Sequence, residues 1–261
     1  MSSADEFDGF LIDLDGVVWV GSGFVPGAPE ALRELMERGK EIVFLTNNPG
    51  RPGSAYAERL RGAGVSIAED RVLTAGLATA RLAVSSVGAG APVFVIGAEA
   101  FWQTARAAGL RTLEGEAGRE ADAVLVSGHR GFDYEELLTA ALALQRGAAL
   151  FATSRDPNLP APGGPWPGTG AILAAVETAS GRTAEIGGKP EARMFEMARG
   201  LIPGVERVAM VGDRIASDIE GGRRAGLATI LVLSGATSRA GAEQANPPPD
   251  LVIEDLTGLL R

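Results

Sequence analysis

Short apolar runs recur along the chain, and three of them break off in polar or acidic clusters. Phe10-Leu-Ile12 ends in Asp13-Leu-Asp15-Gly16, Ile42-Val-Phe-Leu45 in Thr46-Asn47-Asn48-Pro49, and Val208-Ala-Met-Val211 in Gly212-Asp213-Arg214. Apolar runs of this length, bounded by turn formers, read as buried strands. Further strands are predicted at Val93–Ile96, Ala123–Val126, Ala149–Phe151, Ala228–Leu233 and Leu251–Ile253. Between them, helical spacing of apolar positions predicts helices over Pro29–Arg38, Ser54–Gly62, Glu99–Ala108, Tyr134–Gln145, Gly170–Ala179 and from Ser217-Asp218 to Gly226. Val17–Val25, rich in Gly and β-branched residues, reads as a short hairpin or flap. Pro157–Gly168 reads as a long loop of the kind that forms lids or binding loops, and Gly168-Thr-Gly170 as packing at a helix start. Strand followed by helix, repeated, predicts an α/β fold with a doubly wound parallel sheet. Such sheets bind ligands beyond the carboxyl ends of their strands, which is where the acids fall.

Composition narrows the picture. Hydrophobic residues make up 46% and charged residues 22%, as in a soluble globular chain, and 261 residues suffice for one large domain or two modest ones. No apolar run approaches a membrane span, and the first residues are acidic, unlike the basic start of an export signal, so a cytoplasmic protein is expected. The absence of cysteine excludes disulfides, thiolate metal sites and cysteine nucleophiles. A formal charge of −9 without an offsetting basic run argues against a nucleic-acid partner. An anionic substrate remains compatible with that charge if a bound cation and a few aimed donors reverse the field locally. The only lysines are Lys40, which reads as an ordinary exposed loop residue, and Lys189.

Four features then fall in a fixed order: Asp13-x-Asp15, Thr46, Gly188-Lys189-Pro190, and Gly212-Asp213 with Asp218 five positions on. Gly16 is a predicted break, which lets Asp15 swing over Asp13 instead of stacking beside it. Each feature alone has an ordinary reading: a solvated turn for Asp13-x-Asp15, turn chemistry for Thr46 and Asn47, a solvated charge for Lys189, a loop acid for Asp213, a helix N-terminal acid for Asp218. Jointly, with three of the four at or just beyond predicted strand ends, they are poorly explained by coincidence.

With Asp13-Leu-Asp-Gly-Val-Val-Trp19, Pro26-Gly-Ala, Leu45-Thr-Asn-Asn48, Gly188-Lys-Pro190, Gly212-Asp-Arg-x-x-x-Asp218-Ile and Leu231-Val-Leu-Ser-Gly235 in this order, the chain resembles the haloacid-dehalogenase-like (HAD) superfamily phosphatases. Within them it is similar to the NagD and 4-nitrophenylphosphatase-like subfamily. The resemblance implies a Rossmann-like core, residues 1–77 and 188–261, interrupted by an α/β cap over 78–187 that selects the substrate. It implies Asp13 as nucleophile and Asp15 as general acid and base. Thr46, Asn47 and Lys189, the last just ahead of a helix that Pro190 is expected to open, would bind the phosphoryl group. Mg²⁺ would be held by the Asp13 carboxylate, the Asp15 carbonyl and Asp213, with Asp218 supporting a metal-bound water or Lys189.

In the cap, this chain carries His129-Arg130-Gly-Phe-Asp-Tyr134 and Thr153-Ser154-Arg155-Asp156 where relatives often show other residues, so the substrate is the open question. Arg130, Arg155 and Asp156 are the candidate contacts, while His129 reads as a solvated or capped loop residue. A small soluble phosphate ester is expected, with glycerol phosphate, phosphoglycolate or a sugar phosphate ahead of nucleotide or pyridoxal phosphates. Neither nucleic acid nor membrane is an expected partner, and a homodimer through the cap is. A receiver-like phosphoacceptor protein is the non-enzyme alternative; receivers lack both a cap of this size and a second acid two positions after the first.

Overall fold

The computed structural model describes residues 2–159 and 163–261. It divides into two compact units, one formed by the chain up to Thr46 with Gly53–Leu73 and Lys189–Arg261, the other by Asn47–Pro52 and Thr74–Gly188. The boundary expected at residue 78 falls inside a helix, Ala75–Val87, most of whose length was not expected to be helical. Its apolar and small residues surround the axis, so no single face marks it, whereas Thr74 caps it by accepting from the Leu77 N–H.

The first unit is built on a six-stranded sheet, in the order Leu251–Ile253, Ala228–Val232, Val208–Gly212, Gly9–Asp13, Glu41–Thr46, Val72–Thr74. Gly9–Asp13 runs parallel to both neighbours, with Ile12 opposite Val211 on one side and Phe44 on the other. The chain builds outward on one side of this central strand and later returns to build on the other. The reversal of direction therefore lies between Gly9–Asp13 and Val208–Gly212, and Asp13 and Asp213 stand at its carboxyl edge. Every residue of those two strands is buried, as required of parallel strands covered on both faces. One face packs Phe10, Ile12, Phe44 and Val211 against Leu32 and Leu35 of the Ala28–Glu37 helix and Tyr56 and Leu60 of Gly53–Gly62. Full burial of side chains of this size is worth about 1.5–3 kcal/mol each. The expected flap is a hairpin, Trp19–Val20 paired antiparallel with Gly23–Phe24.

Three details of this unit differ from expectation. Pro190 does not open the helix after Lys189: it lies in a turn, joined to Lys189 by a cis peptide, and the helix runs Ala192–Arg199 behind Glu191. The segment holding Asp218 begins as a wide π-type turn, Ile215–Ile219, before the short helix Glu220–Arg224. Lys40 is only half-exposed, its ammonium donating to the Phe7 carbonyl at 2.6 Å.

The second unit has its own five-stranded parallel sheet, in the order Glu185–Ile186, Ala149–Ala152, Ala123–Val126, Pro92–Ile96, Arg111–Leu113. Its core joins Ile96, Val124 and Val126 to Ala140 and Leu144 of the Tyr134–Gln145 helix and to Leu173 and Val176 of Thr169–Ser180. The stretch expected as a loop over Pro157–Gly168 contains a small hairpin, Asn158–Leu159 with Trp166–Pro167; residues 160–162 of that stretch lie outside the described residues. No helix among the described residues is long and apolar enough to cross a membrane.

Candidate active site

Lys189 is the centre of a buried charge cluster in the first unit. Its ammonium donates to Asp13 Oδ1 at 2.5 Å and to Asp218 Oδ1 at 2.7 Å, and all three side chains are almost fully buried. Asp218 is fixed further by the Arg214 N–H, 3.0 Å from Oδ2, a bond that the wide turn makes within four residues. Asp213 completes the group: one oxygen from each of Asp13, Asp213 and Asp218 lies within 4.8 Å of the others. Asp213 Oδ2 accepts from the Ala236 N–H at 2.6 Å, while its Oδ1 is buried and has no hydrogen-bond partner among the described residues.

Glycines make room for these acids. A Cβ on Gly16 would stand 2.2 Å from Asp213 Oδ2 and one on Gly235 would stand 2.1 Å from the same oxygen. Gly16 also has φ +90, a region that side chains strongly disfavour, so it is fixed twice over. Gly212 admits Asp218 in the same way, its absent Cβ lying 2.2 Å from the Asp218 Cβ.

Three carboxylates share one ammonium, and the proton affinities reflect this. Burial raises Asp13 well above the ordinary carboxylate value; Lys189 opposes that rise, while Asp218 and Asp213 add to it. Burial likewise raises Asp213, with the Asp218 charge adding and the Ala236 N–H opposing. For Lys189, burial works against the charge, but Asp13 and Asp218 outweigh it and its pKa is raised. Lys189 therefore stays an ammonium, and the carboxylates around it are short of positive charge.

Asp15 sits in a different environment. It is exposed, Gly16 turns the chain just after it, and its two oxygens are engaged separately: Oδ1 by the Trp19 indole N–H at 3.0 Å, Oδ2 by the Thr46 hydroxyl at 3.3 Å. Thr46 lies one residue beyond Leu45, which pairs with Asp13, so the strand register itself brings Thr46 to the acids. The sequence places Trp19 in the first motif but assigns it no role, because an aromatic in an apolar run reads as core, which it also is. Gly235 likewise closes the Leu231–Gly235 motif without a role, and Ala236 shows only as part of a small-residue turn after the Ala228–Val232 strand.

The cap candidates belong to the second unit and are not gathered into one cluster. Arg155 binds both oxygens of Glu177, at 3.0 and 2.8 Å, and the Ala184 carbonyl at 3.3 Å, so its guanidinium ties the Thr169–Ser180 helix to the chain that follows it. The Arg130 guanidinium lies 4.6 Å over the Trp166 ring. Asp156 is exposed. His129 is paired with Glu136 at 2.9 Å and packs edge-on against Phe132. Asn47 opens the Asn47–Pro52 segment of this unit, and a Cβ on Gly188 would stand 2.8 Å from its Oδ1.

The unpaired buried oxygen of Asp213, the all-carboxylate donor set and the shortage of positive charge together fit a hard divalent cation that takes oxygen ligands, as magnesium does. Comparison with known proteins agrees with this geometry. Residues 10–111 match the family described as haloacid dehalogenase-like hydrolase, and residues 186–259 match its HAD-hydrolase-like counterpart. The chain belongs to the haloacid dehalogenase-like hydrolases and is a phosphatase within them. It is 37% identical to chronophin of Mus musculus over 97% of this chain and 91% of that one. Among solved structures it superposes on p-nitrophenyl phosphatase from Archaeoglobus fulgidus with a TM-score of 0.90 at 34% identity, covering 97% and 98% of the two chains. It superposes on glycerol phosphate phosphatase from Mycobacterium tuberculosis in complex with magnesium with a TM-score of 0.87 at 34% identity, covering 99% and 78%.

Proposed function

We propose that the protein is a magnesium-dependent phosphomonoester hydrolase that carries the phosphoryl group on Asp13. The observation that carries this reading is the contrast between two carboxylates two residues apart. Asp13 is buried against Lys189, whereas Asp15 is exposed and accepts from an indole N–H and a hydroxyl. Environments that differ this much separate a nucleophile from an acid.

In the first step an Asp13 oxygen attacks phosphorus, the ester P–O bond breaks, and the leaving alkoxide takes the proton of Asp15. In the second step a water oxygen attacks the phosphorus of the Asp13 phosphoanhydride and gives its proton to Asp15; inorganic phosphate leaves and the Asp13 carboxylate is restored. One water is consumed, and one alcohol and one phosphate are released. Splitting the displacement in two lowers each barrier, and positioned proton transfer typically adds about 10²–10⁴-fold. Lys189 holds Asp13 in place and keeps a positive charge beside the phosphoryl oxygens. The Thr46 hydroxyl has a single proton, so it exchanges Asp15 for a phosphoryl oxygen when substrate binds, and Asn47 is assigned to the same group. Asp13, Asp213 and the Asp15 carbonyl would hold magnesium, with Asp218 behind them. When bound, the ion neutralises phosphoryl charge.

The test is Asp13→Asn, which should abolish Mg²⁺-dependent hydrolysis of 4-nitrophenyl phosphate while the melting temperature is kept. Borohydride should trap the acyl phosphate at position 13 of the wild type. Wild-type turnover by the variant, with deamidation excluded, would remove Asp13 as nucleophile.

For the substrate, we favour a small phosphorylated polyol, carboxylate or sugar, such as glycerol phosphate or phosphoglycolate, over nucleotide and pyridoxal phosphates. The names of the relatives span glycerol phosphate, a nitrophenyl ester and a 5'-nucleotide and do not choose. A base-stacking platform would need a free aromatic face; in the second unit Arg130 covers one face of the Trp166 ring, which leaves Tyr134, 73% exposed, as the ring open to a base. The discriminating measurement is kcat/KM across glycerol, sugar, carboxylate, nucleotide and pyridoxal phosphates, with Arg130→Ala and Asp156→Ala alongside. A tenfold preference for a nucleotide, on the order of 1.4 kcal/mol, would reverse the ranking. A cytoplasmic setting, in keeping with a chain without cysteine, and a homodimer through the cap complete the reading, the latter tested by sedimentation velocity.

A further inference from the structure

Asp15 is an exposed carboxylate on a loop, a poor starting point for proton delivery, since both its oxygens could rotate freely among waters. The structure engages each oxygen through a side chain of its own, the Thr46 hydroxyl at Oδ2 and the Trp19 indole at Oδ1. Trp19 is almost fully buried, and its indole N–H meets Asp15 Oδ1 at 3.0 Å. The ring is held on every side within the same unit. Tyr56 stacks on it at 6.1 Å with 11° between planes, Phe24 meets it edge-on at 5.8 Å, and the Arg59 guanidinium covers it at 4.1 Å. Arg59 also donates to the carbonyls of Gly21 and Ser22, at 3.2 and 2.9 Å, so the Gly53–Gly62 helix grips the turn of the hairpin that carries Trp19.

We infer that Trp19 is the positioning residue of the acid–base step: its N–H occupies Asp15 Oδ1 throughout, and Oδ2 is the oxygen that gives the proton to the leaving group and takes it back from water. An indole is a donor only and does not titrate in this role, so it cannot receive the proton that Asp15 exchanges. It can donate to Oδ1 both when that atom is the carbonyl oxygen of the acid and, more strongly, when it belongs to the carboxylate formed as the proton leaves. The proton therefore resides on Oδ2, beside Thr46 Oγ1 at 3.3 Å. Tyr56 and Arg59, which pack on the two-ring system of Trp19, act through it.

The inference rests on Asp15 being the acid and base, and the experiment separates the two. The full-length enzyme with Mg²⁺ is assayed by kcat/KM, which reports events up to departure of the alcohol, on glycerol phosphate and on 4-nitrophenyl phosphate. Trp19→Phe removes the donor and keeps an aromatic. Replacement of Trp19 by benzothienylalanine removes the donor and keeps the bicyclic shape, so it serves if the Phe variant does not fold. Loss of a hydrogen bond to a charged group corresponds to roughly 10- to 100-fold, and that loss is expected on glycerol phosphate, with less than about threefold on the aryl ester, whose leaving group needs little protonation. In an Asp15→Asn background the same replacement should cost nothing further, because residues acting as a unit are not additive. Equal losses on the two esters, or losses that multiply with Asp15→Asn, would overturn the inference while leaving Asp15 in its role. If Asp15→Asn itself harms both esters equally, the acid assignment fails and the inference with it.

Discussion

Replacing Asp213 by Asn should strengthen the metal-free protein and remove its response to magnesium. The side chain keeps its size and one oxygen to accept from the Ala236 N–H, but one negative charge leaves a cluster in which three carboxylates face one ammonium. At the 4.8 Å limit that bounds the three ligand oxygens, and with an effective dielectric of about 20, two carboxylates repel by roughly 3.5 kcal/mol. Asp213 faces two such neighbours, and burial, with the Asp218 charge adding to it, outweighs Lys189 in raising its pKa. For the wild type, magnesium at about a hundred times its dissociation constant adds roughly 2.7 kcal/mol. At about 2–4 °C per kcal/mol for a chain of this size, that is a rise of roughly 5–10 °C in melting temperature.

The sign of the pH dependence follows from the same groups. A carboxyl whose folded pKa is raised stabilises the fold below its unfolded value and loses that contribution as pH rises through the folded value. For Asp13 and Asp213 the loss begins near the ordinary value of 3.8 and extends upward. Metal-free wild type should thus weaken with rising pH, and the gain from magnesium should grow. Thermal melts in EDTA and across a magnesium series, at several pH values, measure all three effects. A variant that melts lower than wild type in EDTA, or that keeps the full magnesium gain, would refute the charge-shortage argument.

Other outcomes follow from single contacts. Lys189→Arg keeps the charge but replaces a compact ammonium, seated between two carboxylates, with a wide fork, and kcat should fall by about a hundredfold or more. Gly235→Ala sets a methyl group 2.1 Å from Asp213 Oδ2, so it should cost about 1–3 kcal/mol of stability by overpacking and weaken magnesium binding, readable by titration calorimetry. Arg155→Ala should leave the ranking of esters unchanged and lower stability by about 1 kcal/mol or less, since the pair with Glu177 is partly exposed. Arg155 holds the Glu177 carboxyl below its ordinary value of 4.5, a contribution present above that value and lost as pH falls, so the variant should also lose less stability on acidification. A changed ester preference in Arg155→Ala would return that residue to the substrate site.

How much of this could be read in the sequence depended on whether the signal was local. Strand ends carrying Asp13, Thr46 and Asp213 were legible because buried parallel strands are unbroken apolar runs, and the polar residue that ends each run is conspicuous. The Arg111–Leu113 strand was not, being three residues long with none of them buried. Arg155 read as an available charge because its partner, Glu177, lies 22 positions on, beyond the reach of any local pattern. The exclusion of Pro190 from the following helix belongs to the same class, since proline before a helical pattern ordinarily marks its first turn and only the turn at Lys189 displaces it. Trp19 shows the limit most plainly: periodicity identifies a buried ring, but not where its N–H points.

The discontinuous sheet of the first unit also sets a timetable for the nascent chain. Asp8 and Arg207, which pair where the two central strands begin, are separated by 199 positions. At synthesis rates of about 5–20 residues per second, the Gly9–Asp13 strand waits roughly 10–40 seconds for its Val208–Gly212 neighbour. By then Thr74–Gly188, contiguous and provided with its own sheet, has been made in full. Lys189, Asp213 and Asp218 emerge only afterwards, so the nascent Asp13 carboxylate stays solvated until its counter-ion arrives. The interrupted order of the chain thus defers the burial of charge to the end of synthesis.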